Sequence, residues 1–256
     1  MTIGYRTLGH GPSHVLALHG WLGDETSFDP MRDALTGDEF TYVFMAYRGY
    51  GVSRQQRGDF TMKEIAADAL ALADALEWET FSLIGHSMGG MAMQRILADA
   101  PKRVEKMVGV TPVPASGVPF DAESWKLFEG AARSLDNRRG IIDFSTGSRL
   151  SKAWIDRIAR YSAETATVEA FGAYLVAWAK TDFHVMIKGN PLPVKVIVGA
   201  HDLALTEEAM RASYLAWYPN AELEVIPNAG HYPMNETPVA LATTIEAFLR
   251  RDAKKT

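Results

Sequence analysis

The sequence places a serine at the centre of the pentapeptide Gly-His-Ser-Met-Gly, residues 85–89. An apolar strand-like run, residues 81–84, precedes this pentapeptide, and a helix-like run, residues 90–98, follows it. Glycines two positions before and after Ser87 permit a turn that is too tight for side chains at those two positions. Between a strand and a helix, such a turn lifts the serine hydroxyl clear of a sheet. A base and a substrate can then approach it from different sides, so Ser87 is the candidate nucleophile.

Asp202 and His231 are the candidate partners of this serine. A serine hydroxyl is a poor nucleophile unless a base lies within hydrogen-bond reach and a third group orients that base. Asp202 follows the strand-like run 194–198, and His231 follows the strand-like run 222–226. Catalytic groups gather at the carboxyl ends of parallel strands, and the order serine, acid, histidine is the one found with this turn. The alternative makes Asp202 an N-cap of the following helix and His231 a structural loop residue.

Two backbone N–H groups are the candidate oxyanion donors. Acyl transfer develops negative charge on a carbonyl oxygen, which preorganised N–H groups stabilise. Met88, at the positive end of the helix after the serine, is predicted to supply one of them. Trp21, in the loop after the first core strand, is predicted to supply the other, and simple packing of its side chain is the alternative. We expect His19 to be a buried histidine that holds this loop, and His86 to pack beneath the sheet.

The elements that must hold these residues alternate between strand-like and helix-like runs. The predicted strands span residues 15–18, 42–46, 81–84, 106–110, 194–198 and 222–226. The predicted helices span residues 27–35, 61–78, 90–98, 207–217 and 239–250, the second of them capped by Thr61. Apolar strands separated by helices predict a parallel sheet with helices on both faces.

Residues 113–190 interrupt this alternation. They contain no clear strand and have helix-like runs at residues 122–135, 138–144, 152–161 and 167–179. We predict that this segment is a helical cap, or lid, over the site, and that residues 1–112 and 191–256 form the core. The aromatic residues of the cap are candidate pocket walls: Trp125, Phe128, Trp154, Tyr174 and Trp178. The alternative is a surface decoration whose aromatic side chains pack only its own small core.

The composition excludes several classes of function. The 256 residues suit a single α/β domain, and a net charge of −5 gives no electrostatic case for nucleic-acid binding. Without cysteine there is no disulfide, thiolate metal site or cysteine nucleophile. His10 and His14 are four residues apart, but Gly11 and Pro12 between them favour a loop over a helical metal-binding pair. The N-terminal residues lack a signal-peptide core, and no apolar run approaches the roughly 20 residues that span a bilayer. We expect a cytoplasmic protein with no metal, no cofactor and no membrane or nucleic-acid partner.

Five motifs together resemble the α/β-hydrolase fold superfamily, in the branch that carries a helical cap. They are residues 85–90 around the serine and residues 19–21, 47–53, 199–202 and 230–231. The resemblance implies a mostly parallel, eight-stranded sheet with helices on both faces and a cap inserted between strands 6 and 7. It also implies one antiparallel strand near the N-terminus, with residues 4–8 in an early hairpin.

Two departures from the family pattern concern loops. Ala46 stands where family members commonly carry a structural aspartate, two residues before an Arg-Gly pair. The first loop has His-Gly-Trp instead of the His-Gly-Gly-Gly of many lipases, which favours the cap-bearing subgroup with small substrates. A serine at position 87 separates the chain from haloalkane dehalogenases and epoxide hydrolases of this fold, which use an aspartate there.

The predicted function is therefore hydrolysis of a small or medium ester, lactone or thioester through an acyl-enzyme. Related enzymes of this fold provide two alternatives, namely carbon–carbon bond hydrolysis of dienoic diketo acids and cofactor-free perhydrolase or haloperoxidase activity. A third alternative is a receptor that retains the triad but mainly binds a small molecule. The sequence leaves the oligomeric state open.

Overall fold

The computed structural model describes residues 3–251, and a seven-stranded sheet lies at its centre. The strand order is β1-β3-β2-β4-β5-β6-β7, and every neighbouring pair is parallel except β1 and β3. The strands are β1 (Tyr5–Leu8), β2 (Ser13–Leu18), β3 (Phe40–Met45), β4 (Phe81–His86), β5 (Val104–Val110), β6 (Val194–Gly199) and β7 (Ala221–Ile226).

The central strands are covered on both faces. Every residue of β4 and of β6 is buried. Because successive side chains of a strand point to opposite faces, burial at every position requires packing on both sides of the sheet. The predicted parallel sheet between layers of helices is therefore confirmed.

Within residues 3–251, ten α-helices connect or follow these strands. They are α1 (Met62–Ala75), α2 (Met88–Asp99), α3 (Ala122–Gly130), α4 (Leu135–Ser145), α5 (Lys152–Thr165), α6 (Val168–Lys180), α7 (Glu207–Ala212), α8 (Tyr214–Trp217), α9 (Pro233–Glu236) and α10 (Pro238–Leu249). Short 3₁₀ helices cover Asp29–Ala34, Gly51–Ser53 and His184–Met186. The predicted cap on α1 is confirmed, since the Thr61 hydroxyl accepts a hydrogen bond from the Glu64 N–H at 3.1 Å.

The N-terminal edge of the sheet differs from what the resemblance implies. The predicted count of eight strands is wrong for residues 3–251, which form seven. β1 is an edge strand antiparallel to β3, and it forms no early hairpin with β2. Both edges of β2 already pair with the parallel strands β3 and β4, so no edge remains for β1. The helical segment consequently lies between β5 and β6, one strand earlier than predicted.

Two helix predictions also need correction. Residues 27–35 contain only a short 3₁₀ helix, and the helix expected at residues 207–217 divides into α7 and α8. Ser213 interrupts it with the non-helical dihedrals φ −118° and ψ −88°. Its hydroxyl donates to the Ala209 carbonyl at 2.6 Å, and this side-chain bond competes with a backbone bond of the helix.

The segment between β5 and β6, residues 113–190, is hereafter the helical insertion. Each of its four helices begins at a polar residue whose side chain accepts a hydrogen bond from the backbone N–H three positions further on, and these residues are Asp121, Ser134, Ser151 and Thr167. Such N-caps each stabilise a helix by about 1 kcal/mol. The insertion also bonds to the core, since the Thr167 N–H donates to the Gly49 carbonyl at 2.9 Å.

Two features are absent from residues 3–251, namely a membrane-spanning helix and a metal-binding cluster. No helix in this part of the chain is long and apolar enough to cross a membrane. Within the same residues, no group of three or more histidine or acidic side chains is arranged to hold a metal ion.

Candidate active site

Ser87 lies in a strained turn between β4 and α2. Its dihedrals are φ 51° and ψ −118°, a conformation that non-glycine residues adopt only under constraint from the surrounding structure. A Cβ at Gly85 would lie 2.4 Å from the Gly89 carbonyl oxygen, and one at Gly89 would lie 2.2 Å from the Leu18 carbonyl oxygen. Both glycines are therefore required by close backbone packing, as the sequence predicted.

Backbone hydrogen bonds hold this turn in place. The Ser87 N–H donates to the Val110 carbonyl at 3.1 Å, and the Ser87 carbonyl accepts from the N–H groups of Gly90 and Val113 at 2.8 and 2.9 Å. The hydroxyl, by contrast, makes no hydrogen bond within residues 3–251. The backbone of Ser87 is thus fixed by the end of β5, by the segment that follows it and by the first turn of α2, and its hydroxyl takes part in none of these bonds.

Asp202 and His231 form a buried hydrogen-bonded pair. His231 Nδ1 lies 2.7 Å from Asp202 Oδ2, and the Asp202 side chain is inaccessible to solvent. Asp202 Oδ1 accepts from the N–H groups of Ala204 and Leu205 at 2.9 and 3.0 Å. With both carboxylate oxygens occupied, the imidazole is held in one orientation and its Nε2 is left for other partners. Asp202 is not the cap of the next helix, since the Thr206 hydroxyl accepts the bond from the Ala209 N–H.

Ser87 and His231 line the same cavity. No hydrogen bond joins the Ser87 hydroxyl to the His231 ring within the described part of the chain. Catalytic hydrogen bonds are often long or misaligned before a substrate is bound, so this arrangement is compatible with proton transfer between the two groups. The structure thus brings the three predicted catalytic residues to one place and leaves the serine–histidine bond unformed.

His86 supports the histidine loop instead of packing beneath the sheet. Its Nε2–H donates to the His231 carbonyl at 2.9 Å, and the Thr111 hydroxyl donates to the same oxygen at 3.2 Å. Burial, followed by the nearby charge of His231, lowers the pKa of His86 to about 3. His86 therefore stays neutral at pH 7. Sequence analysis missed this contact because His86 and His231 are 145 residues apart.

His19 is a buried structural histidine, as expected. Its Nε2 accepts from the Tyr47 N–H at 3.3 Å, and its Nδ1–H donates to the Gly20 carbonyl at 2.8 Å. Burial lowers the pKa of His19 to about 4, so the ring is neutral at pH 7. Both ring nitrogens are used in shaping the loop, which leaves His19 no part as a base.

Trp21 donates a hydrogen bond from its side chain, and its backbone N–H donates none within the described residues. The indole Nε1–H donates to the Phe171 carbonyl at 2.8 Å, and the Trp21 carbonyl accepts from the Tyr50 hydroxyl at 3.0 Å. Within residues 3–251, the backbone N–H groups of Trp21 and Met88 have no acceptor. Met88 is the first residue of α2, where the helix dipole favours negative charge. Neither predicted oxyanion donor is therefore already bonded to a protein acceptor among the described residues.

The cavity has a volume of about 280 Å³ and is largely apolar. The β-sheet core contributes catalytic and loop residues, and the helical insertion contributes rings and aliphatic side chains. The residues from the insertion are Val113, Val118, Pro119, Phe120, Ser124, Phe128, Ile141, Phe144, Ser145, Ile158, Tyr161 and Trp178. No lysine, arginine, aspartate or glutamate lines this cavity among the described residues. A substrate bound here would meet a neutral, mostly hydrocarbon surface.

Of the five predicted wall residues, Phe128 and Trp178 line the cavity. Trp125, Trp154 and Tyr174 do not. The ring of Trp125 lies 3.8 Å from the Lys180 ammonium, and the ring of Trp154 packs edge-on against Tyr232. Tyr174 is buried among core rings, with its centroid 5.7 Å from that of Tyr50. The sequence identified the aromatic segment correctly, but it could not indicate which face of each helix turns toward Ser87.

Comparisons with known proteins agree with this architecture. The family model for the alpha/beta hydrolase fold matches residues 13–238. The 3-oxoadipate enol-lactonase 2 of Acinetobacter baylyi is 23% identical over 260 residues, covering 98% of this chain and 94% of that relative. An esterase of Escherichia coli is 24% identical over 255 residues, covering 94% of each chain. The crystal structure of a bromoperoxidase from Bacillus anthracis matches with a TM-score of 0.86 at 21% identity, covering 96% of this chain and 95% of that one.

Proposed function

The protein belongs to the alpha/beta hydrolase fold family, and on that premise we propose that it is a serine hydrolase acting on ester bonds. Ser87 is the nucleophile, His231 the general base and acid, and Asp202 the residue that orients His231. The observation that carries this proposal is the 2.7 Å hydrogen bond between Asp202 and His231, beside the cavity that Ser87 also lines. The esterase and lactonase relatives support the choice of ester bonds.

The reaction begins when Ser87 Oγ attacks the substrate carbonyl carbon. As the new O–C bond forms, the hydroxyl proton moves to His231 Nε2, and Asp202 stabilises the resulting imidazolium. The negative carbonyl oxygen accepts hydrogen bonds from the backbone N–H groups of Trp21 and Met88. Collapse of this intermediate breaks the ester C–O bond, and the leaving alcohol takes the proton from His231. The products of this half-reaction are the free alcohol and an acyl ester on Ser87.

Water completes the cycle. His231 removes a proton from a water molecule as its oxygen attacks the acyl-enzyme, and the second tetrahedral intermediate uses the same two N–H donors. Its collapse returns the proton to Ser87 Oγ and releases the carboxylic acid. All of these steps use protein groups and water alone.

The cavity favours a neutral, apolar, small or medium substrate. Its volume of about 280 Å³ and its largely hydrocarbon lining suit an acyl or alkyl group of modest size. Dienoic diketo acids carry a carboxylate, and burying that carboxylate without a cationic partner is costly. Since no cationic side chain lines the described cavity, the lining disfavours the carbon–carbon bond alternative. Esters, lactones and thioesters without charge remain the preferred substrates.

The helical insertion, residues 113–190, is the cap of this enzyme, and residues 1–112 and 191–256 are its core. Support for this division comes from the cavity, where insertion side chains such as Phe128 and Trp178 lie opposite the catalytic side chains. A decoration that packed only on itself would contribute no side chain to this cavity. Substrate access and selectivity are therefore functions of the cap.

Covalent labelling tests the mechanism. The protein is incubated with an organophosphonate, the intact mass is measured, and the modified residue is mapped by peptide sequencing. We expect a single adduct on Ser87, none on the Ser87→Ala variant, and multiple-turnover hydrolysis of 4-nitrophenyl butyrate by the unmodified protein. An adduct on another residue, or no turnover of any neutral ester or lactone, contradicts the proposal.

Two remaining alternatives, a perhydrolase and a receptor, are distinguished from the hydrolase by assays of halogenation, ester turnover and partner binding. Cofactor-free perhydrolase activity appears as peroxide-dependent halogenation in the presence of a short carboxylic acid. A receptor reacts once with an ester and then stops, and its ligand promotes binding to a partner. Rapid, repeated ester hydrolysis without either property supports the hydrolase.

A further inference from the structure

The loop that carries His231 is held by a buried carboxylate. Glu236 Oε1 accepts from the N–H groups of Gly230 and Tyr232 at 2.9 and 3.2 Å, on both sides of the histidine. The Glu236 side chain is only 3% exposed. A charged acceptor with two backbone donors fixes the backbone between them more strongly than neutral hydrogen bonds do. Glu236 therefore holds the backbone on both sides of His231, in addition to the bonds that His86 and Thr111 make to the His231 carbonyl.

The partner of this carboxylate comes from the helical insertion. Arg149 Nη1 donates to Glu236 Oε2 at 2.8 Å, and Arg149 Nη2 donates to the Asn228 carbonyl at 3.2 Å. The carbonyl of Ser145, also in the insertion, accepts from the His231 N–H itself at 3.1 Å. Three hydrogen bonds from the insertion therefore end on residues 228–236, which we call the histidine loop.

The insertion also holds the loop that carries Trp21. The Tyr161 hydroxyl donates to Asp24 Oδ1 and accepts from the Asp24 N–H at 3.1 Å. Asp24 is buried and lies three residues after Trp21. The Trp21 ring stacks on Phe171 with a centroid distance of 4.0 Å, in addition to the bond from its indole N–H to the Phe171 carbonyl. Residues 20–24, which we call the oxyanion loop, are thus held by the Tyr161 side chain of α5 and by the ring and backbone carbonyl of Phe171 in α6.

We propose that the helical insertion positions both halves of the catalytic machinery, with Arg149 and Tyr161 as positioning residues for the histidine loop and the oxyanion loop. The proposal rests on the proposed function, because it assigns these two loops to catalysis. The loops are about 200 residues apart in sequence, yet both are hydrogen-bonded to one inserted segment. A rigid-body opening of the whole insertion would break these bonds on both loops. The part of the insertion from the end of α4 through α6 therefore stays in place against the two loops.

Two substitutions with matched controls test this inference. Tyr161→Phe removes one hydroxyl, and Arg149→Met removes the guanidinium that meets Glu236. We expect each to lower kcat for 4-nitrophenyl butyrate about tenfold while KM changes less than twofold, since misplaced catalytic groups reduce the rate. Tyr161→Phe keeps the ring that lines the cavity, and Arg149 does not line it. Tyr174→Phe removes a buried hydroxyl that has no hydrogen-bond partner among residues 3–251, and Arg160→Met removes an exposed arginine next to Tyr161. Both control variants should keep the wild-type kcat.

Hydrogen–deuterium exchange gives a readout that does not depend on activity. Amides of residues 20–24 should exchange faster in Tyr161→Phe, and amides of residues 228–236 should exchange faster in Arg149→Met. Arg149→Lys keeps the charge but offers a single donor group, so its kcat should lie between those of Arg149→Met and the wild type. Should Arg149→Met fail to fold, Arg149→Lys tests that loop by itself, with a smaller loss of about threefold expected.

The outcomes separate this inference from the proposed function. The positioning proposal is overturned if both Tyr161→Phe and Arg149→Lys have the wild-type kcat, counted per active site titrated with phosphonate, and amide exchange in the two loops is unchanged. A wild-type protein that neither labels at Ser87 nor turns over an ester overturns the proposed function. In that event, the exchange rates of the two loops still decide whether the insertion holds them.

Discussion

The sheet core and the helical insertion fix their contributions to the site in different ways. In the core, backbone hydrogen bonds at strand ends hold Ser87 and Asp202, through the Val110 and Gly199 carbonyls, whereas the N–H of His231 bonds to the Ser145 carbonyl of the insertion. The insertion instead presents side chains from helices, and Phe128 and Trp178 form parts of the cavity wall. The position of a residue at a strand end follows from the pairing of its strand. The direction of a side chain on a helix depends on how the whole helix packs. We infer that the core carries the reacting groups, whereas the insertion shapes the cavity and also holds the two loops that carry Trp21 and His231.

The insertion is itself divided. α3 contains no fully buried residue, whereas α6 contains seven. α3 also makes none of the hydrogen bonds that reach the oxyanion loop or the histidine loop. Weakly buried helices open at low free-energy cost, so α3 is the part of the insertion that can yield to a substrate. α3 thus contributes to the cavity wall without holding either loop, whereas the other helices of the insertion do both.

The largest expected effect is the loss of the core nucleophile. Ser87→Ala should lower kcat by a factor on the order of 10⁶, because no other group can form the acyl-enzyme. Steady-state hydrolysis of 4-nitrophenyl butyrate measures this change, and circular dichroism checks that the fold is intact. Ester hydrolysis near the wild-type rate in this variant would mean that the reaction takes place elsewhere.

The acid of the core should matter nearly as much. Asp202→Asn should lower kcat about 10⁴-fold, because an amide at this position favours the wrong tautomer of His231. Single-turnover burst experiments would show slow acylation with little change in KM. Glu236→Gln, which retains an oxygen for the backbone donors, should have a far smaller effect. Equal losses in the two variants would argue against Asp202 as the orienting acid.

A wall residue of the insertion should alter binding more than chemistry. Phe128→Ala removes a ring from the cavity and should raise KM for short-chain esters about tenfold, equivalent to roughly 1.4 kcal/mol, while kcat changes little. Leu127 on the same helix is 38% exposed and does not line the cavity, so Leu127→Ala should leave KM unchanged. A kcat loss in Phe128→Ala at constant KM would contradict the division between core and insertion.

A further expected effect concerns the stability of the core in acid and not its activity. The pKa values of His19 and His86 are lowered by burial to about 4 and about 3, below the unfolded value of 6.5. Between these values the unfolded chain binds more protons than the native protein, so stability decreases as the pH falls below 6.5. The slope should approach about 1.4 kcal/mol per pH unit for each histidine. Urea unfolding at several pH values between pH 7 and pH 5 measures this slope of the unfolding free energy.

A variant separates this effect from other acid-sensitive groups. His86→Asn keeps a donor for the His231 carbonyl but cannot titrate, so the pH dependence of its unfolding free energy should be smaller than that of the wild type. An unchanged slope in His86→Asn would indicate that His86 does not contribute. His19→Asn makes the same comparison for the other histidine.

Several features of the site were predictable from local sequence. The spacing of Gly85 and Gly89 around Ser87 predicts the turn, since only a residue without Cβ fits beside the carbonyls found there. The positions of Asp202 and His231 after apolar runs predict that they meet, because parallel strands end at the same edge of a sheet. The predicted number of strands and the early hairpin were wrong at the N-terminal edge. There β1 pairs with β3, because both edges of β2 are already paired with β3 and β4.

The sequence by itself determined the turn, the parallel order of the core and the ends at which its polar residues gather, because these follow from backbone sterics and the period of a strand. Only the tertiary structure decided which aromatic rings face Ser87 and which contacts brace the loops. Tyr161 meets Asp24 across 137 residues, and Arg149 meets Glu236 across 87. Such contacts depend on the rotation and packing of whole helices, which change a side chain's direction by about 100° per residue and leave no local pattern in the sequence.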